Sequence, residues 1–186
     1  MRILALSGSL RAGSYNTALL RAAAAAAPPE VEVVLYDGLA DVPAYDQDLD
    51  AAAETPAAVE RLRRAFADAD AVLIATPEYN GSIPGFLKNA LDWVSRPLAT
   101  NPLRNKPAAV VGASTGAFGA VWAQAELRKV LGLIGARVLD REVPIGLARE
   151  RCGPDGELLD DEVRETLADV VDALAEAVAE RAAIST

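Results

Sequence analysis

Apolar positions in this chain follow two rhythms. Short apolar runs rich in β-branched residues stand at 2–6 (RILAL), 31–36 (VEVVLY), 71–76 (AVLIAT), 107–113 (PAAVVGA) and 136–143 (ARVLDREV). Runs of this length and character predict strands. Between them the apolar positions recur at helical spacing, over 16–27, 56–69, 84–96, 119–135 and 160–183. The last stretch carries Val163, Leu167, Val170, Val171, Leu174 and Val178 as one apolar stripe. Thr55 as N-cap and Pro56 at the first helical position open the second. The alanine run 22–27 is low in complexity but reads as plain helix, because alanine is the strongest helix former.

Strands that alternate with helices imply right-handed crossovers and a parallel sheet covered on both faces. The expected fold is therefore α/β: a doubly wound, five-stranded parallel sheet of flavodoxin-like order 2-1-3-4-5, with helices on both faces. With no repeat or linker visible, residues 1–186 are expected to form one domain. Residues 37–55 exceed the usual loop length and carry Pro43, Tyr45 and several aspartates, which suggests an ordered surface excursion, with a lid or an interface arm as alternatives.

Charge narrows the function. Lys plus Arg number 18 against 27 Asp plus Glu, a net charge of −9, so nucleic acid and anionic membrane are not expected partners. Any bound anion must be held by local donors. No histidine is present, which removes the usual general base and most zinc sites. The single cysteine, Cys152, fits a reducing compartment, and no signal peptide or membrane span is expected, so the expected location is cytoplasmic.

Chemistry concentrates where strands end. After the first strand, GSLRAGSYN gathers Ser9, Arg11, Ser14 and Asn16 at a helix start. Its glycine spacing resembles a Walker A loop, but Ser14-Tyr15 stand where Lys-Ser/Thr would be needed, and Leu10 breaks the dinucleotide fingerprint. The remaining hydroxyls, free N–H groups and guanidinium suit a terminal phosphomonoester. The loop alone fits a polar turn capped by Ser14 equally well. The third and fourth strands lead into TPEYNGSIPG (76–85) and GASTGAFGA (112–120), both rich in small residues that let backbone approach a flat ligand. Doubly wound sheets bind ligands at this edge. A phosphate anchor with two walls for a planar head describes FMN, with Tyr79 placed to lie against a ring.

These segments also resemble the NADPH-dependent FMN reductase family, which includes bacterial quinone and chromate reductases. The resemblance rests on GSLRAGSYN, PEYNGSIPGFLKNALDWVSRP, KPAAVVGASTGAFG and LRKVL and extends to about residue 133. It implies that Ser9, Arg11, Ser14 and Asn16 hold the FMN phosphate and that Pro77, Glu78, Tyr79 and Asn80 border the ring system, largely through backbone. It further implies that Ser114, Thr115 and Gly116 contact the flavin. It implies NAD(P)H as hydride donor, a small acceptor such as a quinone, and a homodimer or homotetramer. Flavin chemistry needs no catalytic side chain, and an open loop-lined site with room for one planar substrate at a time suggests ping-pong turnover. A flavodoxin-like electron carrier without NAD(P)H turnover is the alternative. Where the family often shows Gly-Gly-x-Arg, this chain has Gly119-Ala120-Val121-Trp122, which leaves Trp122 open to substrate contact or interface packing.

Five other features read as structural. Glu78 is expected as a solvated or hydrogen-bonded carboxylate, Trp93 as core or interface, Cys152 as an inert thiol, and Lys88 and Arg96 as surface charges. The Asp41, Asp46, Asp48 and Asp50 cluster lacks the calcium-loop pattern and reads as a solvated loop.

Overall fold

Four strands carry the sheet: β1 (Arg2–Ser7), β2 (Glu32–Tyr36), β3 (Ala71–Ala75) and β4 (Pro107–Ala113). A computed structural model of the protein describes residues 1–52, 54–153 and 156–184. All pairings are parallel, in the order β2-β1-β3-β4, with β5 (Arg137–Val138) beyond β4. This is the expected 2-1-3-4-5 order.

The fifth strand is a correction. The 136–143 run is not continuous, because only Arg137 and Val138 pair with the start of β4, and β6 (Pro144–Ile145) pairs with its end. Three consecutive charges, Asp140, Arg141 and Glu142, cannot alternate between two buried faces. They turn out to solvent, where Asp140 and Glu142 meet Arg128 at 2.5 and 3.5 Å. Among the described residues the sheet therefore has six strands.

Alternation along the central strands builds two cores. Ile3 and Ala5 of β1 face α1 (Tyr15–Ala26) and α7 (Asp161–Ile184), joined by Leu73, Val111, Leu167 and Val171. Leu4 and Leu6 face the opposite layer, α3 (Ala57–Ala67), α4 (Gly85–Val94) and α5 (Val121–Ile134), with Val72, Ile74, Phe66 and Trp93. Both faces of β3 and β4 are buried throughout, as their unbroken apolar runs require. α3 starts one residue later than the sequence suggests: Pro56 itself occupies the cap position, and its carbonyl accepts from Val59 (2.8 Å) and Glu60 (3.1 Å).

Two devices tie the edges down. Lys106 is buried, and its ammonium donates to the carbonyls of Phe66, Ala67 and Ala69 at the end of α3, where a cation complements the helix dipole. Burial, helped by Arg181, lowers its pKa to about 8. The 37–55 excursion is ordered, through a 3-10 turn (Leu39–Asp41) and α2 (Gln47–Asp50), although Ala53 lies outside the described residues. Asn89 and the Trp93 indole N–H both donate to the Pro43 carbonyl at 2.8 Å. Asp46 caps α2, while Asp41 and Asp50 pair with Arg61 and Arg63, so these aspartates hold protein. Lys88 pairs with Asp92 one turn on, as a surface charge.

Candidate active site

The site forms where β1, β3 and β4 end, and each strand contributes one loop. The first loop is fixed by its flanks. Gly8 N–H donates to the Ala75 carbonyl at 2.7 Å, and the Ser7 and Thr17 hydroxyls meet at 2.8 Å. Ser14 caps α1 by accepting from Thr17 N–H at 3.2 Å. Tyr15 and Asn16, the first two helical residues, therefore present N–H groups with no partner among the described residues. The Arg11 guanidinium lies over the Tyr15 ring, 4.9 Å from its centroid. Neither Arg11 nor any neighbour in residues 8–16 is paired with a carboxylate among the described residues, and the segment itself contains none.

Asn16 has a more specific place than its residue type suggests. Its side chain is buried, donates to the Ala113 carbonyl (3.0 Å) and accepts from the Ala113 N–H (2.9 Å). β3 stops pairing at Ala75 opposite Val111, so Asn16 continues the ladder of β4 as a missing strand neighbour would. Oδ1 and one Nδ2 hydrogen are committed to this bond pair, and Asn16 also presents its backbone N–H at the helix start.

The second wall follows β3. Glu78 Oε2 accepts from the Trp122 and Ala123 N–H groups, both at 3.1 Å. It thereby caps α5, whose own N-cap residue, Ala120, offers no side-chain acceptor. Glu78 is thus a hydrogen-bonded structural carboxylate. Asn80 (φ 55) and Gly81 (φ 73) are the two central residues of a tight turn closed by reciprocal bonds between Tyr79 and Ser82 at 3.0 and 3.1 Å. Asn-Gly is the favoured pair for such a turn. It carries Tyr79 outward, with the ring more than half exposed.

The third wall follows β4. Ser114 N–H donates to Ile145, and the Gly116 carbonyl accepts from Leu147 at 3.0 Å, which lays this loop along β6 and the short helix α6 (Ala148–Arg151). The approach is close. A Cβ on Gly119 (φ +57) would stand 2.4 Å from Ile145 N, and one on Gly146 would stand 2.2 Å from the Ala117 carbonyl oxygen.

These walls enclose an open crevice of about 240 Å³. Nine of the sequence-derived candidates line it: Ser9, Arg11, Ser14, Asn16, Pro77, Glu78, Tyr79, Ser114 and Thr115. Asn80 and Gly116 do not, and they shape the turns that carry Tyr79 and Ser114. Arg149, from α6, lines the crevice and escapes the sequence reading, because it is distant along the chain and belongs to no recognisable motif. It also borders an adjoining cavity of about 440 Å³ with Arg11, Tyr15 and Cys152. Burial raises the Cys152 thiol pKa, which disfavours thiolate chemistry. Pro154 and Asp155 of the same turn lie outside the described residues.

The donor set fits the phosphate of FMN. Orphan N–H groups at a helix start, the Ser9 and Ser14 hydroxyls and two arginines converge, with no carboxylate paired to them among the described residues. The Tyr79 and Ser114 loops leave an open slot beside this anchor for a flat ring system.

Comparison with known proteins shows the family. The family whose model matches residues 1–150 is described as NADPH-dependent FMN reductase. The chain is 45% identical to an NAD(P)H-dependent FMN reductase of Pseudomonas aeruginosa, over 94% of its own length and 93% of the relative's. It is 40% identical to a quinone reductase of Escherichia coli, over 86% of each chain. Among solved structures it resembles FerB, a flavoenzyme NAD(P)H:(acceptor) oxidoreductase from Paracoccus denitrificans. The TM-score is 0.85 at 37% identity, covering 97% of this chain and 98% of that one.

Proposed function

Because the chain belongs to the NADPH-dependent FMN reductase family, it is an NAD(P)H-dependent FMN oxidoreductase, and we propose that FMN is seated with its phosphate at the start of α1. FMN, held there, would supply the redox chemistry, hydride acceptance from NAD(P)H and electron delivery to a second substrate. The chain's own residues bind and orient. Ser9, Ser14 and the N–H groups of Tyr15 and Asn16 donate to the phosphate, while Arg11 and Arg149 balance its charge. Pro77, Glu78 and Tyr79 border one side of the ring through backbone, with Asn80 setting the turn. Ser114 and Thr115 border the other, on a loop shaped by Gly116. Glu78 is already committed to two N–H groups, which leaves it poorly placed to move protons. The observation that carries this reading is the donor set at the α1 N-terminus, free of carboxylate partners among the described residues and facing the Tyr79 and Ser114 loops.

The acceptor is a quinone or a similar small molecule, as the name of the Escherichia coli relative suggests. A homodimer or homotetramer is supported by the exposed Leu98 and Leu133, apolar surface that such an assembly would cover. One domain over 1–186 is supported by α7, beyond the family match, whose stripe completes the core on β1, β3 and β4. Among the described residues no helix is long and apolar enough to cross a membrane, and the single cysteine supports a reducing, cytoplasmic setting.

The test is a visible spectrum of the purified holoprotein in the absence of oxygen. The flavin band is expected to bleach on adding NADPH and to return on adding a quinone. A flavin band that NADPH and NADH both leave unchanged would contradict turnover and favour an electron carrier.

A further inference from the structure

Beside the crevice stands an aromatic pair that the cofactor reading does not use. Phe118 and Trp122 are 66% and 53% exposed, and their rings meet edge to face with centroids 5.2 Å apart. Neither lines the crevice itself, but both stand on segments that continue from its walls. Phe118 lies three residues beyond Thr115 on the loop after β4, and the Trp122 N–H is one of the two held by Glu78, which lines the crevice. Tyr79, on the facing loop, is exposed to a similar degree. Large rings left in water at one edge mark a binding surface. Because the two rings already brace each other, little rotamer freedom remains to be lost on binding.

Charge decides what suits this surface. Glu126 lies one turn beyond Trp122 on α5, and Glu78 lies beneath the Trp122 backbone. Of the cations around the site, Arg128 on the same helix is bound to Asp140 and Glu142, while Arg11 and Arg149 line the crevice beside the start of α1. Lys129 stands two turns further along the helix. The patch is apolar, planar-faced and acidic at its border, in a chain of net charge −9. It favours a neutral flat ring over an anionic one of the same shape.

We propose that Phe118 and Trp122 form the acceptor platform, selecting neutral planar quinones over anionic acceptors. This inference rests on the FMN oxidoreductase reading above, and its test separates the two. The probes are 2-methyl-1,4-naphthoquinone and its 3-sulfonate, which share a ring and differ in charge. In the wild-type holoenzyme the neutral quinone is expected to show the higher kcat/KM. Trp122→Ala should raise KM for the neutral quinone about 3–10-fold, the scale of one aromatic contact. Trp122→Arg should shift the preference towards the sulfonate. Flavin bleaching by NADPH is measured in both variants as well, and a change in it as large as the change for the quinone would overturn the assignment to the acceptor. If bleaching is absent in the wild type, the oxidoreductase reading fails. The platform is still tested by quenching of tryptophan fluorescence by the neutral quinone, which Trp122→Phe should abolish, because the other tryptophan, Trp93, is fully buried. Light scattering is run on each variant. An unchanged acceptor ratio together with unchanged quenching would overturn the proposal. So would a fall in particle mass in Trp122→Ala, which would make the pair a subunit contact.

Discussion

Asn16→Leu is expected to lower the free energy of unfolding by about 2–6 kcal/mol, because it leaves a buried N–H and a buried C=O unpaired at about 1–3 kcal/mol each. Leucine keeps the approximate shape of asparagine, so the loss isolates the two bonds to Ala113, at 3.0 and 2.9 Å. A loss of this size is a large share of the stability of a typical domain. It also reaches the site, since the same two bonds hold the start of α1 against the end of β4 and so set the phosphate loop relative to the Ser114 loop. The variant should therefore retain FMN poorly. Asn16→Asp should be at least as destabilised as the leucine variant at neutral pH, because its ionised carboxylate accepts from the Ala113 N–H but sets its second oxygen against the Ala113 carbonyl oxygen. Urea unfolding of the flavin-free proteins measures the difference. A loss below about 1 kcal/mol for leucine would show that Asn16 is not the strut described here.

Gly119→Ala is the second large effect. At φ +57 an alanine is strained, and its Cβ would lie 2.4 Å from Ile145 N and from the Pro144 carbonyl carbon. The obstructing atoms are backbone, with no flexible side chain to move aside. Left-handed strain and overpacking each cost about 1–3 kcal/mol. The structure can relieve the overlap only by moving the 114–120 loop off β6, which opens the wall that carries Ser114 and Thr115. Reduced stability and weakened flavin binding should appear together. Gly116→Ala is the control, because its nearest neighbour would be Ser114 Oγ at 3.7 Å. Thermal and urea midpoints of the two variants should diverge clearly. Equal, small changes in both would contradict the backbone contact at Gly119.

Much of the fold is legible in the sequence, for identifiable reasons. Central strands buried on both faces must be continuously apolar, and 71–76 and 107–113 announce themselves that way. The three loops at the carboxyl edge can be read because tight turns and close backbone approach demand Gly, Ser and Asn. Other features depend on contacts between distant residues. The 136–143 run carries enough β-branched character to pass for one strand; its three consecutive charges argue against that, and the fold shows where they go, with Asp140 and Glu142 turned to Arg128 of the preceding helix. Three glycines stand in 112–119, and nothing in the letters distinguishes Gly119, pressed on backbone, from Gly116, which has room. Asn16 reads as a phosphate ligand because the family resemblance assigns it that role, and no letter in the sequence shows that its amide also bonds a strand 97 residues away. Arg149 sits on a four-residue helix with no motif around it, and only the fold brings it beside Arg11.

Seating of the FMN phosphate at the start of α1, with Arg11 among its donors, underlies every functional step above. The most direct measurement compares FMN with riboflavin, the same ring without the phosphate, by titrating each into flavin-free wild type and Arg11→Ala. A hydrogen bond to a charged group contributes about 1.5–3 kcal/mol, so FMN affinity should fall about 10–150-fold in the variant. Riboflavin, weaker than FMN in the wild type, should bind both proteins equally. If Arg11→Ala weakens both flavins alike, or neither, the phosphate is not at this helix and the account is contradicted.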